Sequence, residues 1–129
     1  MNETINYAID LGTTNSMISK FEFGNIEVFK NPRYHKENLP SVVGFRKDKI
    51  LVGDKALDYL PKDPKNVVSL FKRKMGTKET FKIDAIESSK TPEELSTLVL
   101  KELKGFIFDL DGVITDTAEY HYLDRKSVV

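Results

Sequence analysis

Cysteine is absent from the 129 residues. With it go a disulfide framework, a thiolate nucleophile and any zinc-thiolate centre. Long apolar runs are missing too: nothing approaches the roughly 18 residues that a membrane helix requires. The start Met1-Asn2-Glu3-Thr4 lacks the basic and apolar regions of a secretory signal. There are no internal repeats and no low-complexity tracts. There is no excess of charge either, because 20 Lys and Arg balance 20 Asp and Glu. A neutral chain generates no global field, so neither nucleic acid nor a membrane is expected as a partner. A cytoplasmic location fits these absences. What is present, 40% hydrophobic and 31% charged residues, is a globular balance that excludes a disordered tail or a collagen-like repeat. The length suits one modest domain with a single core. The neutrality is uneven along the chain: residues 20–82 carry +7 and residues 83–123 carry −6. Solvated faces of opposite sign account for such runs.

Periodicity divides the chain into a β-rich first half and a helical continuation. Ile5, Tyr7, Ile9 and Leu11 alternate with polar or small residues, the pattern of a half-buried strand. Gly12-Thr13-Thr14-Asn15 breaks the alternation before Met17 resumes it, which predicts a hairpin over residues 5–23. Gly24-Asn25 predicts a second reversal, and Asn31-Pro32 ends the strand that follows. Val42-Val43-Gly44-Phe45 and Ile50-Leu51-Val52 read as two further strands. From Asp54 the spacing turns helical through Ala56, Leu57 and Leu60, and Val67, Val68 and Phe71 predict another helix. Thr91-Pro92-Glu93-Glu94 is a capping box with proline at the first helical position. Leu95, Leu98, Val99 and Leu103 follow on one face, with Gly105 as the expected stop. Residues 106–110 then read as a buried strand, and Asp116 with Glu119 as a second capping box.

The Gly-Thr-Thr-Asn turn has a chemical use. Glycine lets the backbone approach an anion and aim successive N–H groups at it, and the threonine hydroxyls add donors. Asp10, just before the turn, is placed to orient water around magnesium. An ordinary polar hairpin loop would show the same four residues.

The longer string Tyr7-Ala8-Ile9-Asp10-Leu11-Gly12-Thr13-Thr14-Asn15-Ser16 resembles the first signature of the seventy-kilodalton heat-shock chaperone family of the DnaK type. Asn38-Leu39-Pro40-Ser41-Val42-Val43 resembles that family's Thr-Pro-Ser strand entry, with leucine in place of threonine. Leu51-Val52-Gly53 with Ala56, Asp63-Pro64-Lys65-Asn66-Val67, and Phe71-Lys72-Arg73-Lys74-Met75-Gly76 resemble later family segments in the same order. The resemblance covers about residues 5–103 and implies an α/β fold, an incomplete actin-like (ribonuclease H-like) ATPase lobe. It implies ATP and Mg2+ as cofactors, with Asp10 in the magnesium shell. Gly12, Thr13, Thr14 and Asn15 would lie on the phosphates, and Lys72 near the γ-phosphate, placing the attacking water. In the full-length family the partners are nucleotide, unfolded peptides and co-chaperones. The family's second phosphate loop, adenosine clamp and peptide-binding domain have no counterpart in these residues, so no ATPase activity is expected of the chain alone.

A second resemblance begins at Lys104. Asp109 and Asp111 flank Leu110, and on an extended strand both carboxylates would share one side. Such a pair can hold a hard cation while one aspartate attacks a phosphoryl group and the other moves the proton. The stretch 104–123 resembles the first motif of the haloacid-dehalogenase superfamily, in its β-phosphoglucomutase branch. That resemblance implies Asp109 as nucleophile, Asp111 as general acid/base, both as magnesium ligands, and His121 on a cap helix. Asp124-Arg125-Lys126-Ser127-Val128-Val129 abandons the helix pattern and is similar to the in-frame translation of a sequencing adapter. The expected organisation is a partial actin-like domain over 1–103, a truncated dehalogenase-like head over 104–123 and a non-native tail over 124–129, that is, a chimera. A noncatalytic anion-binding module is the alternative from a different functional class.

Overall fold

The alternating segment forms the expected hairpin. Strand β1 (Asn6–Leu11) runs antiparallel to β2 (Asn15–Glu22), with Leu11 opposite Ser16. The computed structural model describes residues 6–110. Phe23 and Gly24, at φ 54° and 79°, reverse the chain into β3 (Asn25–Val28). Positive φ at both central residues gives a turn whose twist matches that of the strands it joins. Strand β4 (Leu39–Pro40) pairs with the beginning of β2, Ser16 opposite Leu39, while β3 pairs with its end.

A second sheet has the order β6-β5-β7, built from β5 (Val42–Phe45), β6 (Ile50–Val52) and β7 (Val67–Ser69). Helix α1 (Asp54–Tyr59) packs against β5, its Ala56 buried beside Val42 and Leu51. The helix expected at Val67, Val68 and Phe71 is instead strand β7 followed by a 3-10 turn, Phe71–Lys74. Two β-branched residues complete the open edge of β5, with Val67 opposite Gly44. Leu70, at φ 56°, then takes a left-handed conformation that no α-helix can run through. The hairpin of β8 (Phe81–Ile83) and β9 (Ser88–Lys90) was not foreseen from the pattern.

Helix α2 (Pro92–Leu110) starts at the predicted capping box. Thr91 N–H donates to Glu94 Oε1 at 2.9 Å, and Glu94 N–H donates to Thr91 Oγ at 3.0 Å. Leu95, Val99 and Leu103 enter one core with Ile18, Phe29, Leu39, Val43, Phe45, Phe71 and Ile83. Here the sequence expectation needs correction: residues 106–110 are not a buried strand, and Gly105 does not end the helix. Phe106 and Ile107 stand three and four residues beyond Leu103, so the apolar stripe continues and both side chains are buried in the same core. A separate strand at that point would also leave its backbone edges unpaired. Asp109 therefore belongs to the last turn of α2 rather than to a strand tip. Asp111, His121, the Asp116–Glu119 capping box and the tail 124–129 lie outside the described residues.

The capping box gives a pH prediction. The hydrogen bond from Thr91 N–H is the largest influence holding the Glu94 carboxyl below its ordinary range. A carboxyl lowered by folding contributes stability that is present above its unfolded pKa and lost as pH falls through its folded pKa. Glu94→Gln keeps the cap geometry without the charge, so its melting temperature should fall less steeply than wild type between roughly pH 5 and pH 3. An unchanged acid limb in a thermal melt series would count against this role.

Candidate functional site

Residues 12–14 connect β1 to β2 in a turn too tight for a side chain at its first position. A Cβ on Gly12 would collide with the backbone carbonyl oxygen of Asn15, so only glycine fits there without moving main chain. Thr13 is half-buried, while Thr14, Asn15 and Asp10 are exposed. Donors and one carboxylate thus sit together at one end of the first hairpin, open to a ligand.

The turn is held from behind. Ser41 N–H donates to Thr14 O at 2.9 Å, and Ser41 Oγ donates to Gly12 O at 2.9 Å. Ser16 Oγ lies 2.9 Å from Ser41 Oγ, and both serines are buried. These two serines were not singled out from the sequence, although Ser16 follows the turn directly and Ser41 follows the proline of β4.

Lys72 arrives from a remote part of the chain. The 3-10 turn Phe71–Lys74 is anchored by Phe71, which is buried in the core and packs with α2, and the next residue sends its Nζ to donate to Leu11 O. That contact joins positions 61 residues apart and brings an ammonium to the base of the Gly-Thr-Thr-Asn turn. Asp10, Gly12, Thr13, Thr14, Asn15 and Lys72 are therefore gathered at one end of the hairpin. Asp109 stands on helix α2 and not on this hairpin, and Asp111 lies outside the described residues.

The donor set suits a phosphate chain with magnesium. Backbone amides, two hydroxyls and one ammonium face anionic oxygens well, and Mg2+ commonly takes only one or two carboxylates beside phosphate and water. Asp10 supplies one carboxylate. Among the described residues no group of three or more His, Cys, Asp or Glu could hold a metal by itself. A cation here would accordingly draw its remaining ligands from water and from the phosphates it accompanies.

The profile of the family described as Hsp70 protein matches residues 7–107. The chain belongs to the Hsp70 family. Its relatives include the chaperone protein DnaK of Mycoplasmoides gallisepticum, 38% identical over 127 residues that make up 92% of this chain and 21% of the relative. DnaK of Mycoplasma mobile is 43% identical over 125 residues, 92% of this chain and 20% of the relative. DnaK of Mycoplasmopsis synoviae is 41% identical over 106 residues, 82% and 17% respectively. This Hsp70 chain thus spans about a fifth of the length of the curated relatives it matches. The family match runs from Tyr7 in β1 through the two larger sheets and the β8–β9 hairpin to Ile107 of α2. Among the described residues no helix is long and apolar enough to cross a membrane.

Proposed function

We propose that this Hsp70 chain carries part of the phosphate side of a DnaK-type ATPase site and binds ATP with magnesium through the Gly12-Thr13-Thr14-Asn15 turn. The observation that carries the reading is the Lys72 contact to Leu11 O, which joins the ammonium to the turn across 61 residues. The amides and hydroxyls of the turn hold phosphate oxygens, Asp10 orients water of the magnesium shell, and Lys72 moves from the carbonyl to the terminal phosphate and its attacking water. Magnesium, when bound, neutralises phosphate charge. For the longer protein to which such a segment belongs, the proposal extends to unfolded peptides and co-chaperones as partners and to a cytoplasmic location.

Titrating the 15N-labelled chain with MgATP tests this. Amide shifts should concentrate at residues 12–15 with weak affinity, and the double substitution Thr13→Ala with Thr14→Ala should abolish them. Tight binding indifferent to that pair would overturn the assignment. Hydrolysis should be undetectable in the purified chain, since placing groups around the phosphates supplies nearly all of the catalysis in phosphoryl transfer and these residues surround only one side. Turnover that disappears in Lys72→Ala would refute this second expectation.

A further inference from the structure

We infer that Ser41 is the positioning residue that sets the phosphate turn, and that Ser16 sets Ser41. Three carbonyls at the turn are held by named donors: Leu11 O by Lys72 Nζ, Gly12 O by Ser41 Oγ and Thr14 O by Ser41 N–H. In a trans peptide the carbonyl and the following N–H point in opposite directions across a rigid plane, and no cis peptide occurs among the described residues. Fixing each of those oxygens therefore fixes the direction of the N–H group that follows it, on Gly12, Thr13 and Asn15. Two of the three restraints come from Ser41.

Proton counting orders the hydroxyl pair. A serine has one proton to give, and Ser41 gives its proton to Gly12 O at 2.9 Å. The 2.9 Å contact between the two hydroxyls must then use the proton of Ser16. The result is a one-way chain, Ser16 to Ser41 to Gly12 O, in which each bond polarises the next. Ser16 is 0% and Ser41 2% exposed, so solvent cannot replace either partner. Removing Ser41 leaves a buried hydroxyl and a turn carbonyl without this partner, whereas removing Ser16 leaves only a spare lone pair on Ser41. The two substitutions are thus unequal, and Ser41→Ala is the larger.

The consequence for ATP rests on the function proposed above; the brace itself does not. In 15N relaxation of the whole chain, Ser41→Ala removes the bond to Gly12 O but keeps the backbone bond to Thr14 O; it should lower the order parameter of the Thr13 amide from about 0.85 to below about 0.6, with smaller losses at Gly12 and Asn15, while those of α2 stay unchanged. Affinity for MgATP should fall about tenfold, the scale of one buried hydrogen bond. Ser41→Thr, which retains the hydroxyl, should keep the turn ordered, and Ser16→Ala should show a smaller loss of order confined to the same amides. Should Ser41→Ala fail to fold, the Ser16→Ala comparison decides, and turn amides as rigid as wild type in that variant overturn the brace. Rigid turn amides in a folded Ser41→Ala overturn it directly. Wild-type chain that ignores MgATP would remove the functional reading and leave the relaxation result to stand on its own.

Discussion

Phe71→Ala should bring the chain to the edge of unfolding. Its ring is 1% exposed, within the single large core and against α2. Truncating a phenylalanine so placed costs about 3–5 kcal/mol in lost transfer energy and cavity. The whole stability of a domain of this size is only about 5–15 kcal/mol. The effect reaches the site because Lys72 is the next residue, and the short 3-10 turn that carries it has no anchor in the core other than Phe71 among its four members. Urea denaturation should show a midpoint lowered by about a fifth of the wild-type value or more, and in whatever folded fraction remains the amide of Gly12, whose peptide carbonyl receives Lys72, should shift. Lys72→Ala, at an exposed position, should move the Gly12 amide with little change in midpoint. A Phe71→Ala variant as stable as wild type would mean that the core does not position the lysine.

The contrast between these two neighbours marks what could be read from sequence and what could not. The first hairpin was legible because period-two alternation and a Gly-Thr-Thr-Asn turn agree with each other, and pairing of β1 with β2 needs only local chain. The capping box of α2 was legible for the same reason: Thr91 and Glu94 satisfy each other's backbone N–H groups within a single turn. Tertiary partners were not legible. Val67 and Val68 fit a helix face as well as a strand until β5 offers an open edge, and nothing near them in sequence discloses that edge. Lys72 in a Lys-Arg-Lys run is ordinary until the fold carries it to Leu11, and only family resemblance had marked it. Ser16 and Ser41 are common residues whose significance lies in their meeting across 25 positions.

The misread stretch at 106–110 shows the limit most clearly. Five consecutive residues, Phe106-Ile107-Phe108-Asp109-Leu110, carry no periodicity that separates a buried strand from the end of a buried helix. A glycine just before them completed the appearance of a stop, and the Asp109-Leu110-Asp111 spacing supplied a chemistry for the strand. What decided otherwise was register with residues further upstream: Leu103, Phe106 and Ile107 share the core. Helical backbone separates Asp109 from the strand-tip geometry on which a phosphoryl-accepting aspartate was argued. Incubation with a phosphoryl donor and magnesium should accordingly leave no phosphate on Asp109 by mass spectrometry, and a signal lost in Asp109→Asn would reverse that expectation.

Two substitutions at Gly105 should have large and opposite effects. Gly105→Pro should destabilise the chain by about 3 kcal/mol or more, because proline inside a helix removes a hydrogen bond and clashes with the preceding turn. The break would also pull Phe106 and Ile107, buried at 2% and 6% exposure, from the core, adding a cavity to the backbone penalty. Gly105→Ala should stabilise it by about 0.5–1 kcal/mol, since alanine loses less backbone freedom on entering a helix. A Cβ added at Gly105 would meet nothing within 4 Å, so no steric cost offsets that gain. Were Gly105 a helix stop before a strand, the order would invert: proline is tolerated just beyond a helix end, and alanine there forfeits the conformation that favours glycine. Thermal unfolding followed by circular dichroism distinguishes the two, with Ala above wild type and Pro far below it if α2 is continuous. Equal melting temperatures for Pro and wild type would return residues 106–110 to a separate element.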